Sequence, residues 1–407
     1  MTTTDEGAGE AGAAGPLHGV RVVEVSMYVQ APVTGLALAG LGADVVKIEQ
    51  VGRDDFMRTA SALYGVPLDD RGRDWLWAAL NRGKRTLALD VTADAGRRVL
   101  HRLIASADVF VTNLREEALA RLGLDPATLC GVNPRLVYAK GGGFTASGPL
   151  AGLPCQDTVG MAYGGLMDLT SSTGEPNYPP GGLSDVLTGT MLASAIMAGL
   201  VQRATTGRGG VVGATQTQSL LWLQLLPVGM AGSIGATMPR FSTAAPANPL
   251  FHVYPAEDGW ISIACIMGGQ WPPAARALGL EHLLEDERFA TWDGVLANAE
   301  ELAAIIARTT PQRTKAAWWE VLREHGVWSA PVNDVHDVVA DGHLRHDAYL
   351  PEYPDGFVAP RAPFEVGDWR QTTTTAAAYG QHTDEVLAEL GLDAHELEEL
   401  RVNGTIW

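Results

Sequence analysis

Between residues 141 and 189 the 407-residue chain places Asp157, Glu175 and Asp185 in a stretch dense in glycine: GGGFTASGPLAG, PCQDTVGMAYGGLM, STGEPNYPPGG and SDVLTG. A carboxylate can attack an acyl group or carry a proton to and from a carbon acid. Glycines let backbone come close to a ligand or a packed neighbour. The same acids would also serve as turn and helix-cap residues. A second set of candidates is basic: Arg53, Arg58, Arg82, Lys84, Arg85, Arg115 and Arg121 fall at the ends of expected strands. There they could form a local anion site or ordinary solvated surface. Other chemistries lack their residues. The first strand-to-helix passage carries Gln30 and Ala31 where a dinucleotide fold shows GxGxxG, and the sequence has no GxxxxGK[ST], HExxH or GxSxG. The ten histidines are scattered rather than clustered as metal ligands.

The elements that must position these residues alternate. Val20–Val25, Ala43–Glu49, Lys84–Asp90, Asp108–Thr112 and Leu136–Ala139 read as short buried strands. Gln30–Leu41 and Asp94–Ser106 read as helices between them. That alternation predicts an α/β fold with a parallel, doubly wound sheet. Residues 183–203 and 215–230 are expected to be apolar helices, separated by a turn at Thr206–Gly210. A Pro/Ala/Ser-rich linker at Pro239–Pro249 leads to a hairpin of Leu250–Tyr254 and Trp260–Cys265. A Trp-rich helix near Ala316–Glu324 follows, with further helices at Thr383–Gly391 and His395–Arg401. The domain expectation is a tail at 1–16, a large domain at 17–230, a small α+β domain at 231–330 and a C-terminal segment at 331–407.

Composition narrows the classes of partner. With 29 Lys+Arg against 47 Asp+Glu the net charge is −18, a balance opposed to binding nucleic acid. An apolar fraction of 46 % is enough for a large core and excludes a disordered chain. No uninterrupted apolar run long enough to span a membrane is expected. The start, MTTTDEGAGEAGAAGPLHG, is acidic and does not read as a secretory signal. Three cysteines without CxxC spacing, Cys130, Cys155 and Cys265, suit a reducing cytoplasm rather than a disulfide framework or a structural zinc.

Nine stretches in order, LHGVRVVEVS, LGADVVKIEQVGRDD, LNRGKRTLALD, DVFVTNLREEALARLGLDPATLCGVNPRLVYAKGGGFTASGP, QDTVGMAYGGLM, STGEPNYPP, TTGRGG, YPAEDGW and HTDEVLAELGL, resemble the family III CoA-transferases. That group includes formyl-CoA transferase, carnitine CoA-transferase and α-methylacyl-CoA racemase. The resemblance implies a Rossmann-like large domain whose parallel sheet is built from both chain ends, a small α+β domain and an interlocked homodimer. It implies a CoA thioester and a carboxylic acid as small-molecule substrates, with no prosthetic group and no metal. Val29, Gln30 and Ala31 would line the nucleotide pocket. Lys84, Asn113, Leu114, Arg121 and Leu122 would meet adenine, ribose phosphate or pyrophosphate. Where the family often has Arg after the KxE strand this chain has Gln50, and Arg53 would substitute.

The sequence departs from both catalytic patterns of that family. The transferases use an aspartate in a TGxxDGPP-like turn as nucleophile, and here that position is Asn177. About three extra residues near Ser171–Thr173 would let Glu175 supply the carboxylate instead. The glycine loop of the small domain is replaced near Ser242–Asn248. The racemases pair a His with an Asp; the His position is Gln156, ahead of Asp157, while the Asp position is kept as Asp185. Three readings follow. One is a CoA-transferase with an altered nucleophile site. Another is a CoA-thioester-binding protein without transfer chemistry, paired with an active paralogue. The third is an α-carbon racemase or isomerase with Asp185 as base.

Overall fold

The computed structural model describes residues 14–68, 70–243, 245–346 and 349–407. The expected tail falls mainly on residues 1–13, outside the described residues. The chain divides into two compact units.

The first unit comprises residues up to Met167, Tyr178–Val228 and His343–Trp407. Its strands are β1 (Arg21–Val25), β2 (Asp44–Glu49), β3 (Arg85–Ala88), β4 (Val109–Thr112), β5 (Val137–Gly142) and β6 (Gly210–Thr215). They form one sheet in the order β3-β2-β1-β4-β5-β6, parallel throughout. Strands covered on both faces need apolar residues at nearly every position, and VRVVEV, DVVKIE and DVFVT supply them. Val23, Val46, Phe110 and Tyr138 pack on one side with the helix Asp94–Ala105 and with Val386, Leu387, Leu397 and Ile406. Val22, Val45, Val109 and Val137 pack on the other with helix α1 (Gln30–Gly40).

Two expectations about this sheet are corrected. All six strands come from residues 21–215, so the sheet is not built from both chain ends. The C-terminal segment covers a face and adds only bridges such as Leu89 to Ile406. β6 lies between the turn expected at Thr206–Gly210 and the helix expected over 215–230, where the sequence predicts no strand. It is a half-exposed edge strand between glycines, with little apolar signal of its own.

The helix Leu183–Thr206 stands where the sequence predicts an apolar helix over 183–203. Its length and mean hydropathy of 1.5 would suffice to cross a membrane. Its Thr188, Gly189, Leu192, Ala193 and Ile196 are nonetheless buried, and it packs on α1, β5 and β6 as a core helix does.

The second unit comprises Asp168–Asn177 and Gly229–Gly342. Strands β7 (Phe251–Ala256) and β8 (Gly259–Ala264) form the hairpin, with Ile261 opposite Tyr254. Ser329–Pro331 adds a third antiparallel strand. Trp271, Phe289, Leu302, Ile306, Trp318 and Leu322 fill its core, and the indole nitrogens of Trp271 and Trp318 donate to the carbonyls of Phe289 and Thr310.

Charge is buried inside the sheet of the first unit. Glu24 on β1 stands opposite Lys47 on β2, with Lys47 Nζ 3.0 Å from Oε1 and Lys84 Nζ 2.8 Å from Oε2. All three side chains are essentially without solvent contact. Ser26 Oγ donates to Glu24, while Lys84 also donates to the Pro32 carbonyl and to Asn81 Oδ1. Burial pushes Glu24 upward, but the two ammonium charges outweigh it and hold the carboxylate below its ordinary value. Burial pulls Lys84 down, against the pull of Glu24. Removing one member of such a group strands the others without solvent. Glu24→Gln should therefore lower the unfolding free energy in urea by about 3–5 kcal/mol. Glu24→Gln combined with Lys84→Met should lose less than the two single variants summed.

Candidate active site at the carboxyl edge of the sheet

In an open parallel sheet, ligands bind outside the carboxyl ends of the strands where the strand order reverses. Here the reversal falls between β1 and β4. The loops leaving these two strands are tied together, because Asn113 Oδ1 accepts from Met27 N at 3.0 Å and Asn113 Nδ2 donates to the Met27 carbonyl at 2.7 Å. Val29, Gln30 and Ala31 start α1 at this point, and Leu114 follows Asn113. Gln30 is buried and donates to the Gly142 carbonyl at the end of β5. The structure thus brings Val29, Gln30, Ala31, Asn113 and Leu114 together at the switch point on the carboxyl edge of the sheet.

The carboxylates are placed by two further helices, α2 (Asp157–Tyr163) and α3 (Leu183–Thr206). α3 has Gly182 at its N-cap, in the left-handed region at φ 71°, and so has no capping side chain of its own. Asp157 supplies the missing acceptor from another helix. Its Oδ1 takes hydrogen bonds from Ser184 N (2.8 Å), Ser184 Oγ (2.8 Å) and Asp185 N (3.2 Å), and its Oδ2 takes one from Tyr178 OH (3.2 Å). An anion at a helix N-terminus is favoured both by the unpaired N–H groups and by the helix dipole. α3 is also close to α1: Thr34 Oγ1 donates to the Gly189 carbonyl, and a β-carbon on Gly189 would lie 2.4 Å from the Gln30 carbonyl oxygen. The acid cluster and the switch point therefore adjoin.

Asp185, one residue along α3 from Ser184, is half-buried. Its Oδ1 accepts from Gln216 Nε2 at 2.6 Å. Burial, and then the charge of Asp157, push its carboxyl up to about 6, against the pull of the Gln216 hydrogen bond. Cys155 Sγ lies 2.9 Å from Gln216 Oε1. Burial and the two aspartates push this thiol up to about 11, so it keeps its proton. Tyr178 is pushed up to about 12, first by burial and then by its hydrogen bond with Tyr64. Gln156 is exposed beside this group.

Other candidates are placed differently. Lys84 does not present its ammonium to a nucleotide; it is consumed in the buried cluster with Glu24. Leu122 is part of the core, and Arg121 is exposed on the last turn of the helix Glu116–Leu122. The expected basic site at the carboxyl edge is not assembled as one cluster. Arg58 pairs with Glu49, Arg82 bonds Tyr353 OH and the Pro360 carbonyl, and Arg85 pairs with Asp44, Glu385 and Glu389 at the amino edge. Arg53, Arg115 and Arg121 are exposed and without an ion-pair partner among the described residues.

Glu175 and Asn177 lie in the second unit, both exposed. Asn177 Nδ2 donates to the Thr170 carbonyl at 3.5 Å while Thr170 Oγ1 donates to the Asn177 carbonyl at 3.3 Å, closing the turn. Glu175 N takes Thr173 Oγ1 as acceptor, leaving its side chain as the one carboxylate of residues 171–177. Gln216, Ser184 and Tyr64 were not anticipated. The signal for Gln216 was the polar run TQTQS between two apolar stretches, marking the end of the unrecognised strand β6.

A parallel sheet in this strand order, with its loops gathered at the carboxyl edge, defines an α/β protein of the doubly wound class. The family model "CoA-transferase family III" matches residues 17–383, and the chain belongs to that family. It is 30 % identical over 389 residues to the succinate–glutarate CoA-transferase of Agrobacterium fabrum, covering 92 % of this chain and 96 % of that one. It is 28 % identical to the (R)-2-hydroxy-4-methylpentanoate CoA-transferase of Clostridioides difficile, over 95 % and 98 % of the two chains. Among solved structures, a CAIB/BAIF family protein from Brucella suis superposes with a TM-score of 0.82 at 30 % identity, covering 93 % of this chain and all of that one.

The raised pKa of Asp185 makes a signed prediction. In the unfolded chain an Asp titrates near 4, and in the folded protein near 6. The stability carried by the protonated form is full below about 4 and is lost as the pH rises through about 6. Asp185→Asn, which can still accept from Gln216, should raise Tm most above pH 7, and the gain should shrink as the pH falls from 6 toward 4 in calorimetry.

Proposed function

We propose that this protein binds a CoA thioester and transfers its CoA to a carboxylic acid, with Glu175 in place of the usual nucleophile. The observation that carries the reading is the turn at 171–177 in a family III CoA-transferase. Asn177 is a neutral amide tied back to Thr170, and Glu175 is the exposed carboxylate beside it. The Glu175 carboxylate attacks the thioester carbonyl, the C–S bond breaks and CoA leaves as thiolate, giving a mixed anhydride. The thiolate attacks the glutamyl carbonyl and releases the donor acid, leaving CoA on Glu175. The acceptor carboxylate then attacks this thioester and expels the thiolate, which attacks the acceptor's carbonyl in the new anhydride and frees Glu175. Val29, Gln30, Ala31, Asn113 and Leu114 would line the nucleotide crevice, with Arg53 and Arg121 as the free cations for its phosphates.

The partner this reading expects is a second copy of the chain, with an active paralogue as the alternative. Leu221, Trp222, Leu223, Leu225 and Leu226 are 49–72 % exposed on consecutive helices, an apolar surface suited to such a contact. The three free thiols suit a cytoplasmic setting.

Incubation with an acyl-CoA and hydroxylamine should leave a hydroxamate on the Glu175 peptide by mass spectrometry, and Glu175→Gln should abolish it together with CoA exchange. An unmodified peptide with no exchange into any carboxylic acid overturns the reading. Exchange that appears only in Asn177→Asp would instead place the chain among thioester binders that have lost the transfer step.

Asp185 favours a second reading, proton transfer at the α-carbon of the acyl group. A half-buried carboxyl titrating near neutrality is matched to that task. It expects deuterium wash-in at the α-carbon from D2O, lost in Asp185→Asn; no wash-in over hours overturns it.

A further inference from the structure

We propose that Gln216 is a positioning residue for Asp185, with its side-chain amide locked in one orientation by the Cys155 thiol. The proposal rests on the reading of Asp185 as a working carboxylate. Gln216 opens the helix Gln216–Leu223 directly after β6, capped by Thr215, and is 1 % exposed. Both ends of its amide are used. Nε2 lies 2.6 Å from Asp185 Oδ1, and Oε1 lies 2.9 Å from Cys155 Sγ. A carboxylate only accepts, so it requires the NH2 end; a protonated thiol donates, so it requires the oxygen end. The amide thus has one satisfied orientation, and Asp185 receives a fixed donor.

Packing holds both partners in place. A β-carbon on Gly143 would lie 2.0 Å from Cys155 Cβ, and one on Gly160 would lie 3.0 Å from Gln216 Cβ and Oε1. Cys155 and Gln216 are therefore pressed against bare backbone, with no room for the amide to swing aside. The titratable groups facing Asp185 are Asp157, from α2, and Cys155, with Tyr178 bonded to the far oxygen of Asp157. Both aspartates are negative when ionised, and among the described residues Gln216 is the side-chain donor that offsets the repulsion at Asp185.

The test is carboxyl-carbon NMR titration of the full-length protein carrying labelled aspartate, with the Asp185 resonance assigned by its loss in Asp185→Asn. Gln216→Leu should move the Asp185 midpoint up by about one pH unit. Cys155→Ser keeps a donor and should titrate like the unaltered protein, whereas Cys155→Ala should move the midpoint the same way as Gln216→Leu. This pair leaves Gln216 in place, so the proposal stays testable if the leucine variant fails to fold. An unmoved midpoint in Gln216→Leu, or Cys155→Ser and Cys155→Ala behaving alike, overturns the proposal. In parallel, α-deuterium exchange in Gln216→Leu should slow about tenfold at neutral pH, with the optimum displaced upward and KM for the thioester little changed. A moved midpoint with unchanged exchange leaves the positioning role standing and counts against the Asp185 reading alone.

Discussion

The carboxylate of Asp157 holds the first unit's site together. It satisfies the backbone at the start of a 24-residue helix whose own cap position is a glycine, and it does so from a different helix. One interaction thereby joins the segment after β5 to the segment before β6. It also sets the chemistry next to it. The backbone N–H of Asp185 is one of the groups that Asp157 binds, so the two carboxylates are forced into proximity, and the electrostatic cost of that proximity appears in the titration of Asp185. Anchoring the helix and tuning the neighbouring acid are the same event.

Sheet topology performs the corresponding task for the nucleotide side. The strand order reverses between β1 and β4, and the two loops that leave this point would splay apart if nothing joined them. Asn113 does so with both ends of its side chain. The cations expected there are mostly spent inside the protein. In a chain with so large an acidic excess this is understandable, since most basic side chains find an acid nearby before they find a ligand.

The sheet was legible in the sequence because buried parallel strands write themselves as β-branched runs, and VRVVEV, DVVKIE and DVFVT did so. β6 was not, because GVVGAT is an edge strand with alternate residues in solvent and glycines at its start and centre. That miss carried Gln216 with it. The glycine-dense stretch and the family resemblance both drew attention to Asp157 and Asp185, but only the structure reveals that Asp157 caps α3 and that Asp185 is paired with an amide. Lys84 shows the opposite failure. A lysine at a strand end looks the same in sequence whether it meets phosphate or a buried glutamate, and the deciding partner, Glu24, is sixty residues earlier in the chain.

The returning C-terminal segment bears on how the molecule is made. Val386, Leu387, Leu397 and Ile406 cover one face of a sheet whose strands were completed by residue 215. As the chain leaves the ribosome, that face is covered only in part, by the helix Asp94–Ala105 and the residues up to Leu129, while the whole of 229–342 is synthesised and can close its own core. A chain truncated before residue 386 would carry a finished minor unit and a sheet with an apolar patch bared where Val386, Leu387, Leu397 and Ile406 belong.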